Sequence, residues 1–166
     1  MFGMFKQIEE SIRLNELREK FNTAEKQNKT ECQKCGFCCY KRTCVTTPDE
    51  LSKIAEFLKL SIVETIQKYY CIDTLDYQIY FVKPAGYNQL DIRGKKIPPE
   101  RTFNEGKCIF LSNNDLCEIY PVRPLSARLM ECWDKTDIKV KDEKHIEIVN
   151  SWKNNKLKEI YPTFNK

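Results

Sequence analysis

Apolar positions along this chain fall into short runs of two different periods. Phe5, Ile8, Ile12, Leu14, Leu17 and Phe21 recur at mixed three- and four-residue spacings among charges, which predicts an amphipathic helix over 4–29. Its polar end, Glu25 to Lys29, leads into a cysteine-dense stretch from Cys32 to Cys44. A second helix starts at Thr47-Pro48-Asp49-Glu50. Thr47 can cap, Pro48 suits the first helical position, and Glu50 completes a capping box. Leu51, Ile54, Ala55, Leu58 and Ile62 then share one side, and the pattern runs to about Tyr70 with a break near Lys59 to Ser61.

Asp76 to Val82 alternates and is rich in Tyr, Ile, Phe and Val, which predicts a strand. Residues 84–107 carry Pro84, Gly86, Gly94, Pro98, Pro99 and Gly106, the composition of a long irregular loop. Cys108 to Leu111 is a short apolar run, Ser112-Asn113-Asn114-Asp115 a turn, and Leu116 to Tyr120 the return, so this unit reads as hairpin-like. Asp137 to Val140 reads as a last short strand, and Asp142 to Leu157 as a helix with Ile146, Val149, Trp152 and Leu157 on its apolar side. The expected fold is α+β, mainly α-helical. An N-terminal helix (1–30) precedes a single small domain (31–166) with a short β element.

Composition narrows the function. At 166 residues and 41% hydrophobic, the chain can bury one core. A net charge of +4 is too modest for a typical nucleic-acid binder. Tyr69, Tyr70, Tyr77, Tyr80 and Phe81, with Lys68 and Lys83 nearby, could stack on bases, but core packing explains them more simply. The first ten residues turn charged too early for a secretory leader, and no apolar run is long enough to span a bilayer. The expectation is a cytoplasmic protein with no membrane contact. Nine cysteines, an odd number, make no disulfide framework in a reducing compartment. Metal ligation is the leading reading.

The strongest local signal is Cys32-Gln-Lys-Cys35-Gly36-Phe-Cys38-Cys39. Thiolates two intervening residues apart can close on one ion, and Gly36 relaxes the backbone between them. The spacing Cys32, Cys35, Cys38 matches the first three ligands of a bacterial ferredoxin-type run and equally half of a zinc knuckle. Adjacent side chains diverge, so Cys38 and Cys39 do not readily share one tetrahedral ion. Either one of them is not a ligand or the site holds more than one metal atom. A second group follows: Gly106-Lys-Cys108-Ile-Phe-Leu, Cys117-Glu-Ile-Tyr120-Pro-Val-Arg123-Pro124, and then Cys132.

This ordered combination resembles the YkgJ-like cysteine-cluster proteins, described as zinc- or iron-chelating and sometimes as iron–sulfur proteins. The resemblance covers roughly residues 31–133. It implies Cys32, Cys35, Cys38, Cys39, Cys108 and Cys117 as the ligand set. In one place the chain departs. The family pattern continues Arg-Pro-x-x-Cys-Arg, and here it reads Arg123-Pro124-Leu-Ser-Ala127-Arg128. Either Cys132, five residues on from Ala127, replaces the missing thiol or the site has one fewer ligand. Cys44 is an extra local candidate, and Cys71, read at a helix end, is the least expected ligand. A related cluster occurs in flagellin lysine methylases, whose methyl-donor site has no counterpart here.

Two functional classes follow. In one, the centre is an iron–sulfur cluster or iron, serving redox or catalytic work with a protein or redox partner. In the other, zinc is structural in a binding or metal-handling module. Six or seven thiols exceed what one closed zinc needs, which favours iron–sulfur. Arg123 and Arg128 fall inside the cysteine segment and suit hydrogen bonding near cluster sulfurs. His145, in a charged helix away from the cysteines, reads as a surface residue. No phosphate loop, His-Glu-x-x-His or Ser–His arrangement is present.

Overall fold

The computed structural model describes residues 44–86, 108–129 and 137–164, with 9, 11–13, 15, 16, 18–20, 22, 23, 36 and 39 before them. The N-terminal residues described up to Thr23 are helical. Ile12, expected on the apolar face of that helix, is exposed instead; Phe5, Ile8, Leu14, Leu17 and Phe21 lie outside the described residues.

Helix α1 spans Pro48–Leu58 and begins as its sequence dictates. The Thr47 hydroxyl accepts from the Glu50 N–H at 3.2 Å, and the Glu50 carboxylate accepts from the Thr47 N–H at 3.0 Å. Lys59, in the left-handed region at φ 56°, ends it. Ser61 and Glu64 then build a second capping box for α2, Ile62–Tyr69. The expected break near 59–61 is therefore a complete stop and restart.

Strand β1, Tyr70–Leu75, pairs antiparallel with β2, Ile79–Pro84, from Tyr70↔Pro84 to Leu75↔Ile79. This corrects the expected strand at 76–82. Asp76 and Tyr77 form the hairpin turn, both at positive φ (50° and 55°), and the Gln78 N–H closes on the Leu75 carbonyl. Turns of this hand are usually announced by Gly or Asn. Here Asp-Tyr takes that place, so the alternation at 76–82 runs across the turn and gives no sign of β1. Pro84 donates no hydrogen bond and ends β2.

A short 3-10 turn, Tyr120–Val122, leads to α3, Leu125–Arg128. Helix α4, Ile138–Asn150, occupies the place of the expected strand at 137–140. Asp137 accepts from the Lys139 N–H at 2.8 Å and starts a helix where alternation alone suggested β structure. Asn154 and Asn155, at φ 61° and 60°, break the expected 142–157 helix, and α5 follows at Lys156–Ile160. Ile146 is exposed rather than apolar-facing; Ile148, Val149, Trp152 and Leu157 are buried.

The core gathers Leu51, Ile54, Ile66, Tyr70, Ile72, Phe110, Ile119, Trp152 and Leu157, each 2% exposed or less. A fully buried side chain of this size contributes roughly 1.5–3 kcal/mol. Tyr69 stacks on Phe110 with ring centroids 5.1 Å apart. The hairpin is buried on both faces: Tyr70, Ile72, Tyr80 and Val82 on one, Cys71, Asp73, Phe81 and Lys83 on the other. On that second face Lys83 Nζ lies 2.6 Å from Asp73 Oδ2. Lys83 therefore offers no charge to a nucleic-acid surface. Of the aromatic set read as possible base platforms, Tyr70, Tyr80 and Phe81 are core, and Tyr77 is the exposed turn residue.

Candidate metal centre

The segment at 44–47 is where several elements meet. The Thr46 N–H bonds the Val82 carbonyl, so Thr46 pairs with the outer edge of β2. Trp152 Nε1–H donates to the Thr46 carbonyl at 2.7 Å. Ser126 Oγ–H donates to the Val45 carbonyl at 2.6 Å, and the Glu50 carboxylate accepts from the Leu125 N–H at 2.7 Å. Cys44 thus sits at the head of a segment fixed by α1, α3, β2 and the chain after α4. Its side chain is half-buried.

The second cysteine group is the hairpin-like unit expected from the sequence. Leu111 bridges Cys117, the Glu118 N–H bonds the Phe110 carbonyl, and the Ser112 N–H bonds the Leu116 carbonyl. Ile109, Phe110 and Leu111 anchor it in the core, while Cys108 and Cys117 stay half-buried at its margin. It joins the sheet through Gly86↔Cys108 and an Ile109 N–H bond to the Ala85 carbonyl. The β1–β2 hairpin does not carry these cysteines; the extension beyond β2 does.

Two contacts bring the first cysteine motif to the second. The Cys39 carbonyl accepts from the Cys108 N–H at 2.8 Å. Gly36, buried and at φ 75°, lies so close to Asp115 that a β-carbon there would stand 3.1 Å from Asp115 Cβ. Asp115 is also paired with Arg13 of the N-terminal helical segment. The first motif therefore meets the 108–117 unit at Gly36 and at Cys39.

Tyr70 stands behind this junction. Its ring is fully buried, and the Thr46 hydroxyl lies 3.5 Å from its oxygen. Burial pushes the Tyr70 hydroxyl up, the Thr46 hydrogen bond pulls against it, and the charges of Cys108, Cys44 and Glu50 add to the rise. Cys71 is on the opposite face of β1, fully buried, its Sγ 3.6 Å from the Lys83 carbonyl oxygen. Burial pushes this thiol up to about 12, which keeps it protonated at neutral pH. It stands in a strand, not at a helix end.

Cys32, Cys35, Cys38 and Cys132 lie outside the described residues. Among the described residues no three Cys, His, Asp or Glu side chains stand close enough to hold an ion. The described geometry fits a soft thiolate-bound metal in two respects: the donors are thiols, and the two backbones carrying them are bonded to each other. His145 is half-buried on α4, where desolvation lowers its basicity. The Arg123 guanidinium lies 3.9 Å from the Tyr120 ring centroid, a cation–π contact the sequence reading did not anticipate. No helix among the described residues is long and apolar enough to cross a membrane.

A small α+β domain that seats two separated cysteine groups against each other has the build of a thiol-rich chelating module. A family model described as "CxxCxxCC: Putative zinc- or iron-chelating domain" matches residues 31–151, and the chain belongs to that family. No curated protein and no solved structure matches it.

Proposed function

We propose that the protein holds an iron–sulfur cluster, or thiolate-bound iron, between its two cysteine groups, and that the centre serves redox chemistry with a protein partner. The observation that carries this reading is the Cys39–Cys108 backbone bond, which joins a four-cysteine motif to a unit bearing two more. Cys32, Cys35, Cys38, Cys39, Cys108, Cys117 and Cys132 are the proposed ligands. That number of soft donors exceeds the four that close a single zinc site. The family's chelating character supports metal in general and both metals equally.

A second reading stands on the same contact. Gly36 against Asp115 and Cys39 against Cys108 pin together segments that are far apart in sequence, which is what a structural zinc does. One experiment separates the two: metal content, acid-labile sulfide and visible absorption of the full chain purified without oxygen. Iron with sulfide and a brown colour supports the cluster. Iron without sulfide supports a mononuclear thiolate site. Colourless protein with stoichiometric zinc refutes iron and establishes the structural reading. Metal-free protein with native stability refutes both.

A further inference from the structure

We infer that the N-terminal helical segment is a releasable latch on the junction of the two cysteine groups, held by Arg13 on Asp115, and that letting it go lets the junction open. One carboxylate joins the three parts. Asp115 lies in the turn between Cys108 and Cys117, its N–H bonded to the Ser112 carbonyl. Its Cγ and Oδ1 stand 3.5 Å from the place of a β-carbon on Gly36, in the first cysteine motif. Its Oδ2 accepts from Arg13 Nη2, 102 positions away. The helical segment, the first motif and the second unit therefore converge on one side chain. Glu16, one turn on from Arg13, lies 3.5 Å from Nη1 and steadies the guanidinium from its own segment.

Two features make this contact a latch and not a fixed strut. The Arg13 side chain is 40% exposed, so water takes up the guanidinium when the pair breaks. The Lys83–Asp73 pair, 3% and 1% exposed, has no such release. The segment also precedes the residues 31–151 that the family model matches, so the latch lies outside the matched module. With Arg13 paired, Asp115 is held between the helical segment and Gly36, and the Cys39–Cys108 bond closes the same junction. With Arg13 released, the carboxylate regains its rotamer freedom and the turn is restrained from one side only. The junction then opens locally more often, without unfolding of the core.

Hydrogen exchange of the Cys108 amide tests this directly, because that N–H is the donor to Cys39. The full chain is compared as wild type, Arg13→Gln and Arg18→Gln, Arg18 being exposed on the same segment. Cys108 should exchange about two- to fivefold faster in Arg13→Gln, the factor that a part-exposed ion pair supports, and at the wild-type rate in Arg18→Gln. Raising the salt to about 1 M should speed exchange in wild type and leave Arg13→Gln unchanged. The Glu118 amide, bonded to the Phe110 carbonyl inside the second unit, should keep its protection throughout, which separates opening of the junction from melting of the unit. Equal exchange of Cys108 in Arg13→Gln and wild type overturns the inference, and so does a gain matched at Glu118. A chain that binds no metal yet shows the Cys108 difference refutes the metal reading and leaves the latch standing.

Discussion

Replacing Gly36 by Ala tests the seating of the cysteine motif with a single methyl group. Gly36 is at φ 75°, where a residue with a β-carbon is strained by roughly 1–2 kcal/mol. The added methyl would also meet Asp115 Cβ at 3.1 Å, closer than an ordinary carbon contact. Together these predict a loss of about 1–3 kcal/mol, read as a lower urea midpoint, with faster loss of metal to a chelator. The two causes can be separated. Asp115 itself adopts φ 60°, so Asp115→Gly suits its backbone and removes the β-carbon in the way. It also removes the Arg13 pair, which is part-exposed and worth little. In the Asp115→Gly background, Gly36→Ala should keep only the strain, about 1–2 kcal/mol. A Gly36→Ala chain within about 0.5 kcal/mol of wild type would refute the reasoning, since surface changes without a mechanism fall in that range.

Three further outcomes are expected. Lys83→Met leaves Asp73 buried without its cation and should cost about 3–5 kcal/mol in urea unfolding; Asp73→Asn added to it should restore most of that, because Asn can still accept the 2.7 Å bond from the Thr74 N–H. A double variant no more stable than Lys83→Met would contradict this. Cys71 holds its proton to about pH 12 in the fold against an ordinary value of 9.0, so its contribution is whole below pH 9 and is lost as pH rises towards 12. Wild-type stability should therefore fall over that window by up to about 1.4 kcal/mol per pH unit more steeply than that of Cys71→Ala; equal slopes would refute it. Trp152→Phe orphans the buried Thr46 carbonyl and should lower stability by about 1–3 kcal/mol, with metal retention falling alongside it; unchanged urea curves would sink the idea that this bond fixes the 44–47 segment.

What the sequence made legible depended on how local the signal was. The Thr47–Glu50 capping box, the stop at Lys59–Ser61 and the 112–115 turn are written in adjacent residues, and all three are where expected. Errors arose where the decisive contact is distant or the turn residues are unusual. Asp137–Val140 alternates like a strand, yet one cap hydrogen bond makes it a helix start. The α+β class and the hairpin-like second cysteine unit were legible. The neighbourhood of Cys44 was not, because the contacts that fix the 44–47 segment come from residues distant in sequence. In the fold, the residue before Ala127 touches Val45, across 81 positions of sequence. No spacing rule reports such a proximity.

The Cys39–Cys108 bond also imposes an order on biosynthesis. Its two ends are 69 positions apart (108 minus 39), so the first cysteine motif is synthesised long before its counterpart exists. Helices α1 and α2 carry their own caps and can form as they emerge, whereas a contact of this separation must wait for loop closure. Until then Cys39 has no Cys108 N–H to bond, and Gly36 has no Asp115 to rest against. The two cysteine groups can therefore be seated against each other only after the 108–117 unit has been made, so their junction is a late event in folding.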